Sequence, residues 1–184
     1  MKVKKVNGIN CGFIDDAEFK KDVEVLAKKI HKKFEEILNY PINTYHDLPK
    51  YFYGIPRGGL IPAVYLSHRL GIPMLSYSQN YYYSRPIEGY IPGNTDDGCW
   101  KYDDEEKILV IDDLFDTGKT YERYRDKCWE YACVYVKGHK NYTQVSGKPF
   151  ADVIYAKDVP DIPIIFPWEN AKSVINHMKE SGRL

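Results

Sequence analysis

Apolar residues along the chain recur with two different spacings, which predict alternating helices and strands. Across 16–39 they return every three or four positions, so we predict an amphipathic helix there. Asp15 precedes this segment in the position of an N-cap, with Glu18 as the acidic third residue, and Pro41 follows its end. The first half of the chain therefore begins with one long helix.

Shorter apolar runs predict strands. They lie between Gly, Pro or charged residues at 51–54, 72–77, 107–112, 132–137 and 152–156. Helical spacing returns between them and near the end of the chain, which predicts helices over 60–70, 118–131 and 169–179. Strands that alternate with helices indicate an α/β fold, with a mostly parallel, twisted sheet flanked by helices. Four consecutive apolar residues at 108–111 are typical of a strand covered on both faces.

The length and the lack of repeats favour a single domain. A chain of 184 residues can form one hydrophobic core, so we assign 1–184 to one domain. Residues 79–101 contain four Tyr, two Pro and three Gly with no sustained period. A loop of this length inside a domain is usually functional or disordered, so we predict a lid at about 79–101.

Charge and cysteine content exclude several classes of protein. Lys and Arg together number 26, as do Asp and Glu, so no net charge attracts nucleic acid or anionic lipid. Cysteine spacing does not indicate a zinc site or a disulfide framework, so we expect reduced thiols at Cys11, Cys99, Cys128 and Cys133. The basic N-terminal residues lack the apolar run of a signal peptide, and no stretch reaches the length of a membrane span. We therefore expect a cytoplasmic protein with no nucleic-acid or membrane partner.

Residues 108–120, ILVIDDLFDTGKT, carry the most specific chemistry. The predicted strand ends at Ile111, and ligands of open α/β sheets bind at this edge. Three acids follow at once, Asp112, Asp113 and Asp116. Residues 117–120 then open a helix with backbone N–H groups, two hydroxyls and the ammonium of Lys119, which together can bind an anion. Carboxylates beside a phosphate suit Mg²⁺, so the segment predicts a site for a sugar phosphate and a divalent cation.

A nucleotide-triphosphate P-loop and simple helix capping both fit this segment less well. The P-loop needs a glycine five positions before Gly118, where Asp113 stands instead. Helix capping could account for Asp116 or Thr117. It does not account for three acids within five positions after a buried strand, so we favour a functional site.

Residues 108–120 resemble the signature of the type I phosphoribosyltransferase family that binds phosphoribosyl pyrophosphate. Four apolar residues, two acids, two apolar residues and Asp-Thr-Gly-x-Thr all match. The resemblance implies a Rossmann-like core in which Asp112 and Asp113 face the ribose hydroxyls and a magnesium ion. It implies that Asp116 handles the proton of the base, and that the 5′-phosphate is wrapped by the loop of Asp116, Thr117, Gly118, Lys119 and Thr120.

Residues 53–60, YGIPRGGL, resemble the pyrophosphate-binding loop of the same family. Glycines at 58 and 59 permit close backbone approach to phosphate oxygens, and Arg57 can neutralise them with several N–H donors. The resemblance therefore implies that Arg57, Gly58 and Gly59 bind pyrophosphate. Pro56 replaces the small polar residue of xanthine–guanine members.

Residues in the second half of the chain indicate which base the protein would bind. Lys137 ends a predicted strand where purine members carry a lysine that contacts the exocyclic oxygen at position 6, although a lysine solvating a strand end is also common. Residues 167–169, Pro-Trp-Glu, resemble a triplet in the family's hood, which we place at about 138–170 over the carboxyl edge of the sheet. Pro163 stands at the expected stacking position, so Ile164, or Phe166 in a shifted register, would contact the base. Trp168 is expected to anchor the core.

These resemblances imply a magnesium-dependent enzyme of purine salvage. It would transfer the phosphoribosyl group from phosphoribosyl pyrophosphate to guanine, xanthine or hypoxanthine, with Asp116 and Arg57 as catalytic residues. Contacts from the lid would come from Ser78, Tyr81 and Tyr82. Two alternatives remain: transfer to a pyrimidine or a modified purine, or a regulator that senses phosphoribosyl pyrophosphate on the same fold. The length of the first helix favours a homodimer or homotetramer.

Overall fold

The centre of the structure is a five-stranded parallel sheet. The computed structural model describes residues 1–39, 48–75, 108–124, 128, 130–138 and 153–184. Its strands are β1 (Lys2–Val6), β2 (Ile9–Phe13), β3 (Tyr51–Gly54), β4 (Met74–Leu75), β5 (Ile108–Phe115), β6 (Glu130–Lys137), β7 (Val153–Val159) and β8 (Ile164–Ile165). Its helices are α1 (Asp16–Leu38), α2 (Leu60–Leu70), α3 (Lys119–Tyr124) and α4 (Ala171–Glu180).

The strand order of the central sheet is β4-β3-β5-β6-β7. Ile111 of β5 lies opposite Gly54 of β3 on one side and Ala132 of β6 on the other. All neighbouring strands run parallel, so their carboxyl ends meet at one edge of the sheet. The predicted α/β class and parallel sheet are confirmed.

Helices pack on both faces of this sheet. On one face, Leu26 and Ile30 of α1 join Leu109 and Ile111 in a buried cluster that also includes Leu66 of α2. On the other face, the buried rings of α3 and β6 pack on alternate residues of β5, in a cluster that includes Val110, Tyr121, Tyr124 and Tyr131. This arrangement explains the uninterrupted apolar run at 108–111, because both sides of β5 are covered.

An N-terminal hairpin, which we did not predict, forms a second sheet. β1 and β2 pair antiparallel through a two-residue turn, in which Asn7 and Gly8 have φ angles of 50° and 81°. Asn-Gly is a strong sequence signal for such a turn, because both positions need positive φ. β8 then pairs parallel with β2, with Gly12 opposite Ile164. The segment before the first helix therefore supports the Ile164 region.

Three predicted boundaries were wrong. β5 does not end at Ile111 but continues to Phe115, so the acidic pair lies within the strand. The helix predicted over 118–131 is described only as Lys119–Tyr124, and Glu130 and Tyr131 belong to β6, where Tyr131 is buried against the sheet. β7 extends to Val159 because its polar Lys157 bonds Glu18 and Asp22 of α1, so a charged residue is stabilised within a strand.

Several predictions concern residues outside the described ranges. They include the lid at about 79–101 with Ser78, Tyr81 and Tyr82, residues 139–152 of the hood, and Cys99. The assignment of one domain also stays a prediction. Among the described residues, Cys11, Cys128 and Cys133 form no disulfide. Among the described helices, none combines the length and apolar character needed to cross a membrane.

Glu18 connects α1 to β7 and provides a pH-dependent test of the fold. Partial burial alone would raise the pKa of Glu18, but Lys157 and the Met1 ammonium outweigh burial and lower it below its ordinary value near 4.5. A lowered pKa stabilises the fold above the pKa of the unfolded state, and this contribution is lost as the pH falls through the folded pKa. Glu18→Gln should therefore lower the free energy of unfolding by about 1–2 kcal/mol at pH 7.

This difference should begin to shrink as the pH falls through about 4.3, the ordinary pKa of a glutamate, and should vanish once the pH is below the lowered pKa of the folded state. Urea unfolding of both proteins at several pH values measures it. Glu24→Gln is the matched control, because Glu24 lies on the same helix as Glu18 and forms an exposed ion pair with Arg69 of α2, and exposed pairs contribute little. A Glu18→Gln effect that is the same at pH 7 and pH 3.5 would contradict the electrostatic origin of the stabilisation.

Candidate active site

A cavity of about 860 Å³ lies at the carboxyl ends of β3, β5 and β6. It is closed on another side by α4 and by the residues that precede this helix. Most of the residues predicted to form the site line it, namely Arg57, Asp112, Asp113, Asp116, Thr117, Gly118, Thr120, Lys137 and Ile164. Gly58, Gly59 and Lys119 do not.

The acidic pair, a buried Asp112 and a partly buried Asp113, forms the floor of this cavity. Asp112 accepts hydrogen bonds from the Tyr131 hydroxyl at 2.6 Å and from the Asp113 backbone N–H at 2.9 Å. Asp113 accepts one from the Leu114 N–H at 2.9 Å. Burial raises the pKa of Asp112, and burial together with the charge of Asp112 raises the pKa of Asp113 well above its ordinary value. A positive ligand would relieve this repulsion between two adjacent carboxylates.

The loop after β3 packs directly on the floor. A methyl group on Gly58 would lie 2.0 Å from Oδ2 of Asp113, and one on Gly59 would lie 2.4 Å from the Ile111 carbonyl oxygen. Glycine at 59 is therefore required for the loop to approach β5, whereas glycine at 58 leaves room for the Asp113 carboxylate in its observed position. The Pro56–Arg57 peptide bond is cis, and Arg57 itself is exposed and lines the cavity.

Asp116 lies between two cations. Its Oδ1 is 3.2 Å from Nζ of Lys137, and its Oδ2 is 3.3 Å from Nη1 of Arg183. The Lys137 side chain is only 3% exposed, so its interpretation as a lysine solvating a strand end is wrong. Lys137 belongs to the cavity because β6 ends beside β5, which brings it to Asp116.

The predicted phosphate loop presents hydroxyls to the cavity but not its lysine. Thr117, Gly118 and Thr120 line the cavity, and Gly118 has a φ angle of 79°, which favours glycine. The Lys119 side chain is exposed and is not part of the lining. The prediction that its ammonium completes the anion site therefore finds no support in this geometry.

Aromatic side chains form part of the cavity wall. The Phe166 and Trp168 rings stack with centroids 4.9 Å apart and planes 9° apart. Ile164 and Phe166 line the cavity but are nearly fully buried, whereas Trp168 is 37% exposed. Trp168 does pack on the core residues Phe19 and Phe166, as expected of an anchor, but it is only partly buried and also lines the cavity.

Glu169, just before α4, adds a further acidic side chain to the cavity lining beside the Asp residues. It accepts a hydrogen bond from the Phe166 N–H at 3.0 Å, and it lines the cavity. Burial raises the pKa of Glu169, the Asp113 charge adds to this effect, and Arg57 opposes it. These influences show that Glu169, Asp113 and Arg57 share one electrostatic environment.

Sequence reasoning missed the contribution of α4. Asn170 caps this helix by accepting hydrogen bonds from the Lys172 and Ser173 N–H groups. Ser173, His177 and Arg183 line the cavity. No local pattern indicates this, because the face that α4 turns to the cavity depends on how the helix packs. The Pro-Trp-Glu triplet was the available signal that the region lies near the site.

Fold and cavity together define an α/β protein with an acidic pair and a Thr-Gly-rich loop in one cavity at the carboxyl edge of its sheet. No protein-family model matches the chain. It is 32% identical over 124 residues to a xanthine-guanine phosphoribosyltransferase of Cereibacter sphaeroides, covering 64% of this chain and 68% of the relative. It is 31% identical over 126 residues to the Gluconobacter oxydans xanthine-guanine phosphoribosyltransferase, covering 64% and 67%.

Solved structures agree with these relatives. A purine phosphoribosyltransferase from Pyrococcus horikoshii superposes with a TM-score of 0.53 and 25% identity, covering 87% of this chain and 95% of that one. The chain belongs to the type I phosphoribosyltransferase family, a family of transferase enzymes, as the resemblance of residues 108–120 predicted.

Proposed function

We propose that this enzyme transfers the phosphoribosyl group from phosphoribosyl pyrophosphate to a 6-oxopurine base, namely guanine, xanthine or hypoxanthine. The products would be a nucleoside monophosphate and pyrophosphate. One observation carries the proposal: a single cavity brings together the acidic pair, the loop that begins at Asp116, Arg57 and Lys137. The xanthine-guanine relatives favour a purine substrate. The proposal includes a role in purine salvage in the cytoplasm and a homo-oligomeric state.

Each part of the cavity has a role in this reaction. Asp112 and Asp113 would face the ribose, Arg57 the pyrophosphate, and the N–H and hydroxyl groups at Thr117, Gly118 and Thr120 the 5′-phosphate. Lys137 would donate a hydrogen bond to the oxygen at position 6 of the base. Ile164 and the accessible Trp168 ring would contact the face of the purine.

The acidic pair fits a magnesium ion. Carboxylate oxygens are ligands that Mg²⁺ prefers, and a cation would offset the repulsion that raises the pKa of Asp113. Within the described ranges, no group of three or more His, Cys, Asp or Glu side chains could hold a metal. Asp112 and Asp113 would therefore hold the ion together with substrate oxygens and water. When bound, magnesium would neutralise part of the charge on the pyrophosphate group.

The bond changes in the reaction follow from these positions. The bond between C1 of the ribose and the pyrophosphate oxygen breaks, and its electron pair leaves with pyrophosphate. A purine nitrogen forms the new bond to C1, and its proton passes to the Asp116 carboxylate. Arg57 stabilises the departing negative charge, while Asp112 and Asp113 stabilise the positive charge that develops on the sugar.

A panel of bases tests the proposal. The protein, Mg²⁺ and phosphoribosyl pyrophosphate are mixed with guanine, xanthine, hypoxanthine, adenine, uracil or orotate, and pyrophosphate release is followed. We expect turnover with one or more of the first three. Activity only with a pyrimidine would overturn the purine assignment. Binding of phosphoribosyl pyrophosphate without release for any base would favour the regulator instead.

Lys137 provides a test of base recognition. We expect Lys137→Met to raise KM for the 6-oxopurine about 10-fold or more, because a charged donor to the exocyclic oxygen is lost. The nearly equal length of Met limits the cavity that the change creates, and Arg183 still pairs with Asp116. Lys172→Met, on the exposed side of α4, is the control. An unchanged KM for the base would remove the reason for assigning 6-oxopurines.

A further inference from the structure

We propose that Arg183 binds the 5′-phosphate of the substrate and of the nucleotide product, in the position that the sequence suggested for Lys119. This inference rests on the proposed function, since it assigns one more residue to the same site. Three observations carry it: how the end of α4 is built, where the guanidinium lies, and which charges surround it.

The chain after α4 folds back toward the cavity in a defined geometry. Gly182 has a φ angle of 67°, the left-handed conformation that commonly follows a helix. Its N–H donates to the Lys179 carbonyl at 3.0 Å, and the Arg183 N–H donates to the Met178 carbonyl at 2.8 Å. These two bonds form a Schellman motif. These backbone hydrogen bonds therefore fix the main chain at Arg183 in the absence of a ligand.

The guanidinium is fixed at two points and open at others. Its Nε donates to the Ser181 hydroxyl at 2.9 Å, and its Nη1 donates to Oδ2 of Asp116 at 3.3 Å. A guanidinium has five N–H donors, so two contacts leave several for a ligand. The Arg183 side chain is 38% exposed and lines the cavity, so a ligand can reach it.

Charge favours a phosphate as the ligand of these donors. Lys137 and Arg183 contact one carboxylate, Asp116, so the cluster of three side chains carries a formal excess of one positive charge. Asp116 immediately precedes Thr117 and Gly118, which begin the anion-binding loop of the cavity. The loop contributes neutral donors, and Arg183 supplies a positive charge beside them. Lys119 cannot supply this charge, because its side chain is not part of the cavity lining.

Direct binding of two probes tests the assignment. Isothermal titration calorimetry with ribose 5-phosphate and with inorganic pyrophosphate compares wild type, Arg183→Gln and Arg183→Lys. We expect Arg183→Gln to weaken ribose 5-phosphate about 10-fold or more, with less than about a twofold change for pyrophosphate. Arg183→Lys should recover part of the loss, because it restores the charge but not the planar array of donors.

Lys179→Gln is the matched control, since it removes one positive charge from the exposed side of the same helix. Unchanged affinity of Arg183→Gln for ribose 5-phosphate would overturn the assignment. Equal losses for both probes would also overturn it, because they would show a general effect of charge. Tighter binding of ribose 5-phosphate by Arg183→Gln would also overturn the assignment, because it would show that Arg183 hinders phosphate binding.

The test remains independent of turnover. Ribose 5-phosphate carries no base, so the result does not depend on which base the enzyme accepts. A protein that fails the panel of bases but binds ribose 5-phosphate through Arg183 would refute the proposed function and support this inference. A protein that is active with guanine, but whose affinity for ribose 5-phosphate is unaffected by Arg183→Gln, would support the proposed function and refute this inference.

Discussion

An Asp113→Asn variant is expected to lose at least about 10³-fold in kcat/KM for the purine substrate while remaining folded. Asn has the same shape, and its carbonyl oxygen can still accept the hydrogen bond that the Leu114 N–H donates to Asp113 at 2.9 Å. The change removes one of two adjacent carboxylates on the floor of the cavity. In the wild type, the charge of Asp113 would face the positive charge that develops on the ribose, and it would contribute to the proposed magnesium site.

Steady-state kinetics measures the loss, and thermal unfolding with increasing Mg²⁺ and pyrophosphate measures its cause. Wild type should be stabilised by the two together, because ligands that bind only the folded state raise its stability. Asp113→Asn should show little of this effect. Asp158→Asn is the control, since this exposed acid at the end of β7 does not line the cavity. If Asp113→Asn retained more than a tenth of the activity, the proposed role of the acidic pair would be wrong.

Alanine at the two neighbouring glycines is expected to have different consequences. On Gly59, a methyl group would lie 2.4 Å from the Ile111 carbonyl oxygen and 2.9 Å from backbone atoms of Ile55. Backbone cannot move aside without separating the loop from β5, so Gly59→Ala should lower the free energy of unfolding by about 3 kcal/mol or more. Its soluble yield and its urea midpoint should both fall.

On Gly58, the atoms in the way belong to the carboxylate of Asp113, the nearest of them at 2.0 Å. A side chain can rotate, so Gly58→Ala should retain most of its stability and lose activity by about 100-fold as the carboxylate is displaced. Gly71→Ala is the control for conformational strain alone: its φ angle is 71°, and nothing lies within 4 Å of the added methyl. Full activity of Gly58→Ala would show that Asp113 has another productive position.

Local patterns were sufficient for the central sheet. The apolar run of β5 and the helical spacing of α1 reflect which faces are buried, so the spacing of apolar residues was enough to predict both elements. Boundaries were less reliable where polar residues are paired within an element. Lys157 interrupts the apolar pattern of β7, yet its bonds to Glu18 and Asp22 keep it in the strand. The N-terminal hairpin had a signal in Asn7-Gly8 that the basic composition of β1 obscured.

The candidate site was predicted where its groups are neighbours in sequence. Asp112 and Asp113 lie near the end of β5 and Asp116 directly follows it, so their presence at one sheet edge needs only the direction of β5. Lys137 required the order of the strands, because β6 must lie beside β5 for its end to reach Asp116. The partial exposure of Trp168 could not be predicted, because the exposure of an aromatic residue depends on what covers it.

By itself, the sequence determined the α/β class and the chemistry of the loop, because hydrophobic period and motif are properties of contiguous residues. Tertiary structure decided which charges meet. Lys119 belongs to the loop in sequence but lies outside the cavity lining, whereas Arg183, 67 residues from Asp116, contacts Asp116 because of the turn after α4. The reason is physical: side-chain direction is set by the backbone at each residue, and distant residues meet only where helices and strands pack.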